Sequence, residues 1–173
     1  LDLYGESAED MARGAALMNV LKDDRELLRQ RVMAAYEVAA AQAEVDADRM
    51  AIIGYCFGGM TALDLARAGA SLRGVVSFHG NLKGHELPAQ EISAPVLALH
   101  GHDDPICPAE MVEAFIVEMK EKRVDWQLHR YGDTLHSFTN PGVNLPDMGA
   151  VYHPRSDRRS WRSMGDFLAE VFE

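Results

Sequence analysis

The sequence predicts an α/β layer fold built on a mainly parallel sheet. Three observations carry that expectation. Strand-like and helix-like segments alternate along the chain. The strand-like ones are short apolar runs, as in buried parallel strands. Glycine and proline sit where one segment gives way to the next.

Taken in order, Ser7 followed by Asp10 reads as a capping box for a short helix through about Met18. Asp23 or Asp24 is placed to cap a longer helix ending near Ala43, in which Leu27, Leu28, Val32, Ala35, Tyr36 and Ala39 recur at helical spacing. Met50 to Ile53 is a short buried strand, Gly54 to Gly59 a turn, and Met60 to Ala68 a small-residue helix stopped by Gly69. Leu72 to Phe78 is the next strand, ending at His79-Gly80. Pro95 to His100 follows after a loop with Gly84 and Pro88. Pro108 opens a helix to about Arg123, a position where its missing N–H costs nothing. Val124 to Tyr131 is the last strand. An irregular stretch from Gly132 to Pro154 precedes a helix over Asp157 to Phe172.

The totals bound the function. The chain has 173 residues, 47% of them hydrophobic, which suits one domain spanning residues 1–173. Its net charge is −10, from 17 basic and 27 acidic residues, which disfavours nucleic acid as a partner. No apolar run reaches the roughly 18 residues a membrane span needs. Two cysteines, Cys56 and Cys107, are too few for a disulfide framework and point to a reducing, cytoplasmic setting.

In open parallel sheets, ligands bind beyond the carboxyl ends of the strands. Three chemically capable residues fall there. Gly54-Tyr55-Cys56-Phe57-Gly58 has the spacing of a nucleophile elbow, with a strand before it and a helix after it. Glycines on either side keep the strained turn clear of its neighbours, and the helix N-terminus favours thiolate over thiol. Asp103 and Asp104 follow the third strand, where a carboxylate can orient an imidazole. His136 follows the fourth, where it can act as general base and then acid. Each piece alone has an ordinary structural explanation. Together they give the order nucleophile, acid, histidine found in α/β-hydrolases.

These residues also resemble a known family. Gly54-Tyr55-Cys56-Phe57-Gly58-Gly59, Asp103 to Pro108 and His136-Ser137-Phe138-Thr139-Asn140-Pro141 resemble the dienelactone hydrolases. So do Ser77 to Gly80, Asp157 to Trp161 and the opening Asp2-Leu3-Tyr4-Gly5. The resemblance implies an α/β-hydrolase fold with helices on both faces of the sheet, a Cys56–His136–Asp104 triad and no cofactor or metal. It implies cleavage of a small-molecule ester or lactone through an acyl-thioester, with the Phe57 N–H in the oxyanion hole. It places the acid at Asp104, immediately before Pro105, rather than at Asp103. Tyr4, His79 and Phe138 are candidates to line the substrate pocket, whereas Trp126, Trp161 and Cys107 are expected to pack in the interior.

Two departures from the family pattern shape the expectations. Members carry earlier strands before the Asp-Leu-Tyr-Gly block, so the fold is expected to lack its N-terminal strands here. The first strand would then be an exposed apolar edge, covered by a segment beyond this chain or by self-association. Dienelactone-specific members also carry an arginine four residues after the histidine, where this chain has Asn140. Asparagine cannot clamp a carboxylate bidentately, which argues against dienelactone itself. Competing expectations are a metal hydrolase using His79, His100, His102, Asp103 and Asp104, a non-catalytic module, and a thiol-redox protein.

Overall fold

The computed structural model describes residues 3–88 and 90–173, so Asp2 of the opening block lies outside the described residues. Two helices come first, α1 (Met11–Asp23) and α2 (Arg25–Ala40). Asp10, not Ser7, caps α1, its carboxylate accepting from the Arg13 N–H at 2.8 Å. That helix runs five residues past the expected Met18, to Asp23. Asp24 caps α2 by accepting from the Leu27 N–H at 2.9 Å.

Four parallel strands follow: β1 (Ala51–Tyr55), β2 (Gly74–Phe78), β3 (Val96–Gly101) and β4 (Trp126–Tyr131), paired in that spatial order. Helix α3 (Phe57–Arg67) joins β1 to β2, α4 (Ala109–Glu121) joins β3 to β4, and α5 (Pro154–Val171) closes the chain. The turn after β1 shrinks to Cys56 alone, because α3 begins at Phe57 rather than at Met60.

Side chains alternate between the two sheet faces with period two. Val75, Val96 and Ala98 pack with Leu65, Val112 and Phe115 of α3 and α4. Val76, Phe78, Leu97 and Leu99 pack instead with Met164 and Phe167 of α5. The sheet is therefore covered on both faces, as its apolar runs require. Ionic contacts tie the helices on the first face together. Arg67 of α3 grips Glu118 of α4 bidentately, at 3.0 and 2.7 Å, and Arg25 of α2 reaches Asp64 at 2.7 Å.

Strand β1 is the edge of the sheet, with Ile53 42% and Tyr55 41% exposed. A cavity of about 420 Å³ runs along it between α2 and α3, lined by Leu3, Tyr36, Ile52 and Ile53 among others. The segment from Gly132 to Pro154 is more ordered than its sequence suggests. It holds a small antiparallel pair, β5 (Asn144–Leu145) and β6 (Ala150–Val151), linked by a 3-10 turn. Among the described residues, no helix is long and apolar enough to cross a membrane.

Candidate active site

The site is built at the carboxyl ends of β1, β3 and β4. Cys56 sits between β1 and α3 with φ 53, a left-handed conformation that costs a non-glycine residue free energy and often marks function. Its own N–H donates to the Phe78 carbonyl at 3.0 Å, and its carbonyl accepts from Gly59, pinning both sides of the turn. A Cβ on Gly54 would lie 1.9 Å from the Gly58 carbonyl oxygen, so β1 and α3 can meet only with glycine there. Gly58, expected to be equally constrained, has open space; Gly59 is the second tight position, where an added Cβ would lie 2.6 Å from Ser77 Oγ.

Asp104 lies just past β3 and is only 2% exposed. Its Oδ1 accepts from the Ile106 N–H at 2.8 Å, and its Oδ2 meets His136 Nδ1 at 2.8 Å. Neighbouring Asp103 turns away and accepts from the Thr134 N–H at 3.2 Å. The other imidazole nitrogen of His136, Nε2, lies 3.2 Å from Cys56 Sγ. The structure thus brings Cys56, His136 and Asp104 into one hydrogen-bonded line from three separate strand ends.

His136 is held by the long loop. Its N–H donates to Gly149 O at 2.9 Å, and its carbonyl accepts from Val151 at 3.0 Å, adding a short rung beside β6. Thr134 Oγ1 and Ser156 Oγ share a buried hydrogen bond of 2.8 Å that fastens the loop to α5.

Charge follows from these contacts. Burial alone would push the Cys56 thiol up. The hydrogen bond and charge of His136 and the Phe57 N–H outweigh it, and the thiol sits below its ordinary value. Burial would lower His136, but its bonds to Asp104 and Cys56 raise it to about 9. Both shifts favour a thiolate–imidazolium pair at neutral pH.

Of the other expected residues, His79 lines the space beside Cys56. Burial and the charge of His136 lower it to about 3, so it is neutral there. Its ring meets that of His136 edge-on at 5.1 Å, and Nε2 bonds Thr139 Oγ1 at 2.8 Å. Tyr4 stacks on Phe57 at 6.3 Å, near the sulfur but outside the two cavities that flank it. Phe138 is corrected: it is fully buried with Val76, Phe78 and Leu99, behind His79 rather than in the pocket. Trp161 is corrected in the opposite sense, being 60% exposed and part of the pocket wall. Cys107 packs as a small buried hydrophobe, its thiol pushed up to about 11 by burial.

Two cavities flank Cys56. One of about 400 Å³ is lined by Tyr55, Phe78, His79, Asn140, Asp157 and Trp161 together with Ser137, Thr139 and Pro141. The other, of about 160 Å³, is lined by Met18, Phe57, Met60, Ile106 and His136, with Lys22 and Asn81. Asn140 reaches its own turn, accepting from the Gly142 N–H at 3.0 Å. Tyr55, Asp157 and Trp161 are wall residues that sequence reasoning missed. The only signal was their presence in conspicuous blocks, Gly54-Tyr55-Cys56 and Asp157 to Trp161. Among the described residues, no three His, Cys, Asp or Glu side chains converge to hold a metal ion, and His100 is buried apart, lowered to about 4 chiefly by burial.

A profile of the dienelactone hydrolase family matches residues 2–172. An uncharacterized protein of Caenorhabditis elegans is 32% identical over 149 residues, covering 84% of this chain and 94% of its own. A Bradyrhizobium protein named as a probable 2-oxo-3-(5-oxofuran-2-ylidene)propanoate lactonase is 32% identical over 126 residues, 67% of this chain and 50% of its own. Among solved structures, a dienelactone hydrolase-like promiscuous phosphotriesterase from metagenomic libraries is 38% identical with a TM-score of 0.88. That match covers 95% of this chain and 70% of the other. This chain therefore spans about half the length of the lactonase and nearly all that of the nematode protein. Its four parallel strands and flanking helices are those of an α/β-hydrolase fold.

Proposed function

The chain belongs to the dienelactone hydrolase family of hydrolases, and from that premise we propose that it cleaves activated carboxylic esters or lactones with Cys56 as nucleophile. The observation that carries this reading is the line of contacts from Cys56 Sγ through His136 to Asp104, 3.2 and then 2.8 Å. Residues 1–173 are read as one hydrolase domain carrying that line.

In this mechanism the thiolate attacks the carbonyl carbon, and the carbonyl electron pair moves onto oxygen. The Phe57 N–H, at the start of α3, donates to that oxyanion, a contribution of about 3–4 kcal/mol for one such donor. The tetrahedral intermediate collapses as His136 Nε2 gives its proton to the departing alkoxide, leaving an acyl-thioester. Neutral His136 then takes a proton from water, whose hydroxide attacks the thioester and releases the acid and the thiolate. Asp104 keeps Nδ1 protonated throughout.

Thiolate is a good leaving group, so the intermediate reverts unless the other group departs more readily. Enol esters, lactones and aryl esters meet that condition, and amides do not. The 38%-identical phosphotriesterase favours a second reading, in which the same thiolate attacks an aryl phosphotriester.

Initial rates with 4-nitrophenyl acetate and with diethyl 4-nitrophenyl phosphate test both. Hydrolysis of the acetate should vanish in Cys56→Ala. A Cys56→Ala protein that hydrolyses it at the wild-type rate contradicts the proposal.

A further inference from the structure

We propose that the larger cavity beside Cys56 is a cation-accepting subsite, so that esters bearing an ammonium group on the part lodged there are preferred. This rests on the ester-hydrolase reading for its role in turnover, but not for the binding itself.

Three wall residues carry the inference. Tyr55 ends β1 and is 41% exposed, while Trp161 on α5 is 60% exposed; both face the same cavity of about 400 Å³. Large aromatic side chains left open to solvent beside a nucleophile are available to a ligand rather than to the core. Asp157 lies four residues before Trp161 on α5, so the two side chains share one helix face and the same cavity. Among the described residues the Asp157 carboxylate forms no ion pair; its partner is the Tyr152 hydroxyl, which donates to Oδ2 at 3.1 Å. The carboxylate also acts electrostatically on the Tyr55 hydroxyl, holding it above its ordinary value after burial has done so.

Among the described residues, no cation lies within the wall to offset that carboxylate. His79 is neutral, and Arg155, Arg158 and Arg159 of α5 do not line the cavity. Two aromatic rings in the wall, Tyr55 with one face stacked on Phe78 at 4.5 Å, and one carboxylate form a combination that attracts an ammonium, through ring quadrupole and charge together. The same wall repels anions. Position 140 adds no positive charge, since Asn140 is engaged in its own turn. Asp157 also suits the first turn of α5, where it complements the helix dipole. That role explains an acid on the helix but not the open aromatic pair beside it.

The test separates binding from turnover. Phenyltrimethylammonium and its neutral isostere tert-butylbenzene are titrated against the full chain, reading tryptophan fluorescence, with Trp161→Leu identifying the responding residue. Saturable quenching by the cation alone, weakened about fivefold or more in Asp157→Asn, is expected. Equal response to cation and neutral isostere, or no change in Asp157→Asn, overturns the subsite. For turnover, kcat/KM is measured for 4-(trimethylammonio)phenyl acetate and 4-tert-butylphenyl acetate. Taking their ratio across wild type and Asp157→Asn cancels intrinsic reactivity. The ratio should fall about fivefold in the variant. An unchanged ratio with Cys56-dependent hydrolysis defeats the subsite and leaves the hydrolase standing. Cation binding with hydrolysis that survives Cys56→Ala does the reverse.

Discussion

Replacing Asp104 with asparagine keeps the shape of the side chain and removes its charge. The carboxylate lies 2.8 Å from His136 Nδ1 and is 2% exposed, so little solvent screens it. With its partners in place His136 is raised from 6.5 to about 9, a difference worth about 3 kcal/mol in favour of the imidazolium. If Asp104 supplies most of it, the variant's imidazole returns toward 6.5, and the protonated fraction at pH 7.5 drops from nearly all to roughly a tenth. Cys56 loses the positive charge that holds its thiol down, and its thiolate fraction falls about tenfold for each unit it rises. The assay is the pH profile of Cys56 alkylation by iodoacetamide, with Cys56→Ser as blank and a thermal melt to establish folding. The neutral-pH rate should fall at least tenfold in Asp104→Asn, and kcat/KM by about 10²- to 10⁴-fold. A folded variant whose alkylation profile overlays the wild type would refute the coupling.

The same physics yields further expectations. Burial raises the Glu118 carboxyl, but the hydrogen bonds and charges of Arg67 and Lys122 outweigh it and bring it down to about 2. Its stabilisation is thus complete above about 4.5 and lost as pH falls through 2. Glu118→Gln should lower the unfolding free energy near pH 7 by about 3 kcal/mol, a gap that closes between those values in denaturant titrations; a gap independent of pH would contradict this. Gly101→Ala places a Cβ 2.5 Å from the Thr134 carbonyl, where the His136 loop crosses the end of β3. It should cut kcat far more than it lowers Tm, because it pushes His136 from Cys56; the opposite split would count against that reading. The apolar β1 edge should drive self-association at high concentration, and Ile53→Lys should reduce it in sedimentation velocity; wild-type protein that stays monomeric contradicts this.

How much was legible in the sequence follows from where each signal originates. The strands were, because buried parallel strands write their partners into short apolar runs. Helix α3 was read three residues short, because Gly58 and Gly59 are poor helix formers; packing decides there, since any side chain on Gly59 would strike Ser77. The small β5–β6 pair was invisible, as two-residue strands carry no period. Cys56, His136 and the Asp103–Asp104 pair could be picked out because each follows a strand end, whereas the choice of Asp104 over Asp103 came from the family resemblance. Apart from His79, the pocket wall could not, because Tyr55 and Trp161 come together only through tertiary packing. Phe138 misled for a related reason. Ser137, with φ 56, turns the chain between His136 and Phe138, so the phenylalanine goes to the core while the histidine faces the sulfur.

In the proposed mechanism Cys56 attacks the substrate carbonyl and carries its acyl group. Intact-protein mass spectra taken before and within seconds of adding 4-nitrophenyl acetate, with Cys56→Ala alongside, would capture that acyl-enzyme. A single acetyl adduct should appear on the wild type, decay as ester is exhausted and never form on the variant. A wild-type protein that turns over the ester without any adduct, or an adduct equally present on Cys56→Ala, would contradict it.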